Sequence, residues 1–130
     1  MREALVPIAS LLPSSVAVIA SGLVACHEIQ QSGRVYEPVL TIPAASYPDN
    51  RNLIIVRGHE MARARQDLGR PIVLATIIDN DAELLAHRSA WLEPATSLAD
   101  AWRLYEEVQV TLARAGVGSV ADMRIGGSQG

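Results

Sequence analysis

The side chains best suited to acid–base chemistry are two histidine–glutamate pairs and two aspartates that follow an apolar run. The pairs are His27-Glu28 and His59-Glu60, and Asp79 and Asp81 follow residues 72–78. The end of a buried strand is where α/β proteins often place catalytic carboxylates. If the second pair and the aspartates converge, they can exchange protons with a substrate. A small α/β enzyme is therefore one hypothesis, although helix capping explains the aspartates equally well.

The same residues match no common metal or cofactor motif. A zincin needs a second histidine four residues after the first, and those positions hold Gln31 and Arg63. The single cysteine, Cys26, excludes an internal disulfide and a multi-cysteine zinc site. Neither a phosphate-binding loop ending in lysine nor a dinucleotide fingerprint occurs. We therefore expect no metal, no cofactor and an inert buried thiol.

Charged residues are segregated along the chain. Residues 51–78 contain five arginines and two acids, a balance of +3, whereas residues 79–107 contain seven acids and two arginines, a balance of −5. Such a dipolar domain can associate with copies of itself, and a closing rotation produces a ring. The leading hypothesis is a non-enzymatic structural or assembly protein. Its expected interface pairs Arg57, Arg63, Arg65 and Arg70 with Glu83, Glu106 and Glu107 of a neighbour.

The arginine-rich segment also allows a different function. All eleven basic side chains are arginines, whose planar guanidinium groups suit carboxylates and phosphates. A module that binds a peptide or an anionic ligand is therefore a third hypothesis. Little aromatic interleaving accompanies these arginines, so the pattern is not typical of a nucleic-acid interface.

Composition and the N-terminal region bear on location. With 130 residues, 49% of them apolar, and a net charge of −3, the chain is expected to be one globular domain. No charged side chain occurs from Ala4 to Cys26, but Pro7 and Pro13 interrupt this run. Residues 23–26 resemble a lipoprotein cleavage box, so an exported lipoprotein-like binding module is an alternative. A non-membrane, cytoplasmic protein fits the sequence best.

The N-terminal third is the hardest part to assign to elements. Leu5, Ile8, Leu11 and Leu12 recur at helical spacing, which predicts an N-terminal helix ended by Pro13. Residues 16–29 suit either a strand or a helix. Residues 35–42 form a strand candidate that contains Pro38, and we expect it at a sheet edge or at a bulge because proline cannot donate to the ladder.

Two apolar runs, residues 53–56 and 72–78, predict the central strands of the sheet. Between them, residues 59–69 favour a short helix, and a long hairpin is the alternative. A helix would make the flanking strands parallel and a hairpin antiparallel.

The C-terminal half predicts two helices and a tail. A helix near residues 82–92 follows the capping residues 79–81, and a second spans residues 98–115, with Ser97 as its cap and Gly116 at its end. Residues 117–130 form a glycine-rich tail that we expect to be weakly ordered. The chain is thus predicted to be a single α+β or α/β domain with a small mixed sheet.

The order of these elements resembles that of the small tail-terminator and head–tail completion proteins of long-tailed bacteriophages. The resemblance rests on residues 53–56, 72–78 and 98–115, which lie within a span, 53–115, of roughly half of the chain. It implies a ring-forming protein without an active site, located in the virion or in the cytoplasm.

Overall fold

Five strands form one mixed sheet in the part of the chain that the computed structural model describes, namely residues 1–14, 38–44, 52–116 and Val120. The strands are β1 (Arg2–Pro7), β2 (Leu11–Leu12), β3 (Val39–Pro43), β4 (Leu53–Arg57) and β5 (Ile72–Ile77). The same ranges contain helices α1 (His59–Asp67), α2 (Asp81–Ala86) and α3 (Leu98–Arg114), with 3₁₀ turns at Ile8–Ser10 and Ala90–Leu92. The predicted small α+β fold is confirmed.

The sheet is strongly curled. Its strand order is β1-β5-β3-β4-β2, so β1 and β2 lie at opposite ends although only Ile8–Ser10 separates them. In a flat sheet these strands would be about 19 Å apart, whereas the four residue steps from Pro7 to Leu11 span at most about 14 Å. The two edges must therefore approach each other. One N-terminal segment pairs with β5 through its first half and with β4 through its second.

The predicted N-terminal helix is wrong, because this segment is extended. Ala4 and Val6 pack against the core, while Leu5 between them is 74% exposed. That alternation is the period of a strand, and β5 supplies the backbone partners. The 3₁₀ turn then buries Ile8 and brings Leu11 into the core, which accounts for their three-residue spacing.

The middle strand of the sheet is β3, so of the two expected positions the sheet edge is wrong, whereas the pairing of β3 with β4 does shift register between Leu40 and Thr41. β3 lies between β5 and β4, and Val39 to Ile42 are buried. Pro38 directly precedes the strand, where its missing N–H removes no ladder bond. The predicted strands β4 and β5 are confirmed as strands, but they lie on either side of β3.

Helix α1 confirms the helical alternative for residues 59–69, but β4 and β5 are antiparallel. β3 runs antiparallel to β4 and parallel to β5. Ala75 of β5 pairs with Val39, the first residue of β3. β5 therefore begins, at Ile72, three residues or about 10 Å before the level at which β3 begins. The nine-residue α1 rises about 13 Å. Helix α1 thus carries the chain past the end of β4, and β5 then runs back across the sheet in the direction opposite to β4.

The helix predicted near residues 82–92 is shorter than expected. The Asn80 side chain accepts from the Glu83 N–H at 2.9 Å, and α2 ends before His87. The chain then turns at Ser89, whose hydroxyl donates to the Val56 carbonyl at 3.0 Å. A separate 3₁₀ turn buries Leu92. The bond from Ser89 to β4 therefore ends α2, although the local spacing of apolar residues predicts one continuous helix over this segment.

Helix α3 agrees with its predicted bounds. The Ser97 hydroxyl accepts from the Asp100 N–H at 3.1 Å, and Gly116 ends the helix with φ at 75°. The Trp102 indole N–H donates to the Pro43 carbonyl at 2.7 Å, which attaches α3 to the end of β3. Tyr105 and Leu112 are buried on the same helix.

Several expectations fall outside the described residues. The strand-or-helix choice for residues 16–29 is among them, as are the surroundings of Cys26, His27 and Glu28. Of the predicted weakly ordered tail, residues 117–130, only Val120 is described, and it is fully buried. Among the helices described here, none combines the length and apolar character needed to cross a bilayer.

Candidate functional site

An open pocket of about 430 Å³ lies where β4 ends and α1 begins. Three of its lining residues form one cross-strand row, because Leu40 pairs with Arg57 on one side and with Thr76 on the other. The pocket therefore combines a sheet row with the first turn of a helix. Its lining residues are Met1, Pro38, Leu40, Arg57, Gly58, Glu60, Met61, Thr76 and His87.

The first turn of α1 presents backbone donors at this pocket. The first helical bond runs from the Ala62 N–H to the Gly58 carbonyl at 3.1 Å, so the helix itself offers no acceptor to the N–H groups of residues 59–61. Within the described part of the chain, no side chain caps this end. An uncapped helix start carries partial positive charge and attracts anions.

Gly58 makes this strand-to-helix junction possible. Its φ of 109° is a conformation that L side chains rarely adopt. A Cβ there would lie 3.2 Å from Met61 Cε and 3.3 Å from Val39 Cα. The junction therefore needs glycine both for its backbone angle and for the close approach of β3.

Three ionisable side chains line the pocket: Arg57, Glu60 and His87. Arg57 is exposed and makes no ion pair with any residue of the described ranges. The guanidinium can thus turn towards a ligand without losing an internal partner. Glu60 brings negative charge to the same pocket and limits how many anionic groups the pocket can hold.

His59, the first residue of α1, is buried and does not line the pocket. Burial lowers its pKa to about 4, and the nearby Glu60 carboxylate offsets only part of this shift. Its Nε2 accepts the Ser14 N–H at 2.9 Å, so the ring proton of the neutral imidazole resides on Nδ1. The Ser14 hydroxyl in turn donates to the Ile55 carbonyl at 2.6 Å. His59 thus connects the chain after β2 to the start of α1.

Asp79 and Asp81 have structural partners. An Asp79 carboxylate oxygen lies 3.0 Å from Arg2 Nε, and Asp81 accepts from the Leu98 N–H at 2.9 Å. Neither lines the pocket, and of the residues in the acid–base hypothesis only Glu60 does. The arrangement proposed for that chemistry is therefore not assembled here.

The residues expected at an interface between copies have varied surroundings. Arg65 donates to the Ile72 carbonyl at 3.0 Å, and Arg63 is half-buried. Glu83 accepts from the Met1 amino group and from the Asp79 N–H, and these bonds lower its pKa. The expected interface residues that are exposed are Arg57, Arg70, Glu106 and Glu107. Ring formation through these charges stays a prediction.

Sequence reasoning missed Gly58, Thr76 and His87 as pocket residues. Gly58 carried a usable signal, because a glycine directly between an apolar strand and a helix-forming segment marks a tight junction. Thr76 and His87 have no such signal in the sequence. Thr76 reaches the pocket of Arg57 only because β5 pairs with β3, and His87 only because α2 ends there.

Within residues 1–14, 38–44 and 52–116, no group of three or more histidine, cysteine or acidic side chains is placed to hold a metal ion. The pocket instead offers hydrogen-bond donors and one arginine. A comparison with protein-family models and with curated protein sequences finds no match to this chain.

Proposed function

We propose that this protein is a binding module for a small anionic ligand held in the pocket at the start of α1. One observation carries the proposal: Arg57, Thr76 and the uncapped first turn of α1 line one pocket. Each supplies donors, and an arginine beside free backbone N–H groups suits phosphate or carboxylate.

The rest of the pocket suggests how such a ligand would lie. Its anionic group would accept from the N–H groups of residues 59–61 and from the Arg57 guanidinium. Pro38, Leu40 and Met61 would contact a less polar remainder. The His87 imidazole lines the same pocket and offers a further ring N–H donor. His59 takes no part in proton transfer in this proposal, because its Nε2 is already bonded to Ser14.

Amide chemical shifts in an NMR titration test the proposal. We expect millimolar inorganic phosphate or pyrophosphate, at constant ionic strength, to shift the amides of residues 58–61 in a saturable way. Arg57→Gln should weaken binding about tenfold or more, the effect of losing one charge-assisted hydrogen bond. Glu60→Gln should strengthen binding because it removes a repulsive charge.

Arg114→Gln is the matched control, because Arg114 is an exposed arginine on α3 that does not line the pocket. This variant should bind like the unmodified chain. Saturable shifts that are equally weakened by Arg57→Gln and Arg114→Gln would indicate general charge attraction and reject the pocket. Absence of saturable shifts at residues 58–61 would also reject it.

A further inference from the structure

A block of four apolar side chains lies on the outer face of β1 and β5. Leu5 pairs directly with Leu74, and Pro7 with Ile72. Residues directly opposite each other in paired strands share a face of the sheet, so the four side chains are adjacent. Leu5 is 74% exposed and Ile72 41% exposed. We call these four residues the β1–β5 block.

The opposite face of the same strands packs against the core. Val73 and Ala75 are buried, and Ala4 and Val6 pack on the core cluster. The strand alternation thus provides a buried apolar face and leaves a second apolar face on which Leu5, Pro7 and Ile72 are exposed and Leu74 is half-buried. Contiguous exposed apolar residues on an outer strand are typical of protein interaction surfaces.

Charges of opposite sign lie at the two ends of the β1–β5 block. Glu3 pairs with Thr76, and the two form the next residue pair after Leu5 and Leu74 on this face of the sheet. The Glu3 side chain is exposed. At the other end, Arg70 is exposed two residues before Ile72, and the Arg65 guanidinium donates to the Ile72 carbonyl at 3.0 Å. The block is therefore acidic at one end and basic at the other.

We propose that the β1–β5 block binds the same block of a second copy of this chain. Two copies related by a twofold axis pack their blocks in opposite directions, which places Glu3 of each against the Arg65 and Arg70 end of the other. A partner of uniform charge would match only one end, whereas a second copy matches both. This inference does not rest on the anion pocket.

Sedimentation velocity of the full chain over a concentration series tests the proposal. We expect a monomer–dimer equilibrium. Leu5→Gln should raise the dimer Kd about tenfold or more, as for a central apolar contact of an interface. Val110→Gln is the matched control, because Val110 is 54% exposed but lies on α3, away from the block. It should dimerise like the unmodified chain.

A charge exchange makes the test independent of any folding effect at Leu5. Glu3→Arg alone should weaken the dimer, and Glu3→Arg combined with Arg70→Glu should restore it in part, because the acid at position 70 then attracts the new arginine while Arg65 stays basic. A chain that stays monomeric at the highest concentration overturns the proposal. A dimer that responds equally to Leu5→Gln and Val110→Gln, or a double variant without recovery, also overturns it.

Discussion

The backbone N–H of Ser14 donates to Nε2 of His59 at 2.9 Å, which joins positions 45 residues apart in the sequence. The bond connects the end of the N-terminal segment, which forms both edges of the curled sheet, to the first residue of α1. His59 adjoins Gly58 and Glu60, which line the anion pocket. The bond from Ser14 holds the first residue of α1, next to the pocket, only while the imidazole is neutral and accepts a hydrogen bond.

This buried imidazole predicts acid-sensitive stability. The folded-state pKa of about 4 lies below the ordinary histidine value of 6.5, so the unfolded chain binds a proton first as the pH falls. The stabilisation is complete above pH 6.5 and is lost between pH 6.5 and pH 4, a change of roughly 3 kcal/mol. Urea unfolding at several pH values measures it.

Carboxylates titrate in part of the same range, so the informative quantity is the difference between variants. His59→Asn should be less stable at pH 7 and should lose less stability between pH 6.5 and pH 4. Equal slopes for His59→Asn and the unmodified chain would contradict the prediction.

Gly58→Ala should destabilise the protein by about 1–3 kcal/mol, because alanine at this positive φ is strained and its Cβ meets Met61 and β3. Gly69→Ala is the control: its φ is also positive, at 72°, but no atom lies within 4 Å of the added Cβ, so its cost should be about 1 kcal/mol. Urea unfolding compares them. Equal losses would argue against a crowded junction.

Ser97→Ala should destabilise the protein by about 1 kcal/mol, since it removes the side-chain acceptor for the Asp100 N–H at the start of α3. Ser97→Asp should retain most of the stability, because aspartate also caps helices well. Thermal unfolding by circular dichroism measures both changes. A Ser97→Asp variant as unstable as Ser97→Ala would contradict the capping role.

Leu112→Ala should cost about 2–5 kcal/mol, because Leu112 is only 1% exposed near the C-terminal end of α3 and its truncation leaves a cavity. Val110→Ala, two residues earlier and 54% exposed, should change stability by less than about 0.5 kcal/mol. Urea unfolding of both variants checks this contrast. Similar losses would mean that the end of α3 is not docked on the core.

The candidate site was only partly predictable. The arginine-rich segment suggested an anionic ligand, and Arg57 and Glu60 do line the pocket. His59 looked like a proton-transfer residue, but its surroundings bury it and its Nε2 bonds to Ser14. No pattern near His59 in the sequence predicts its hydrogen bond with Ser14, which lies 45 positions away.

The sequence by itself determined those elements whose signals are local. The β-branched runs specified β4 and β5, and Ser97 and Gly116 marked the ends of α3, because propensity and capping act between near neighbours. Only the tertiary structure decided that the N-terminal segment is extended, that β3 occupies the middle of the sheet and that β4 and β5 are antiparallel. These features depend on hydrogen-bond partners supplied by distant parts of the chain, which local spacing does not encode.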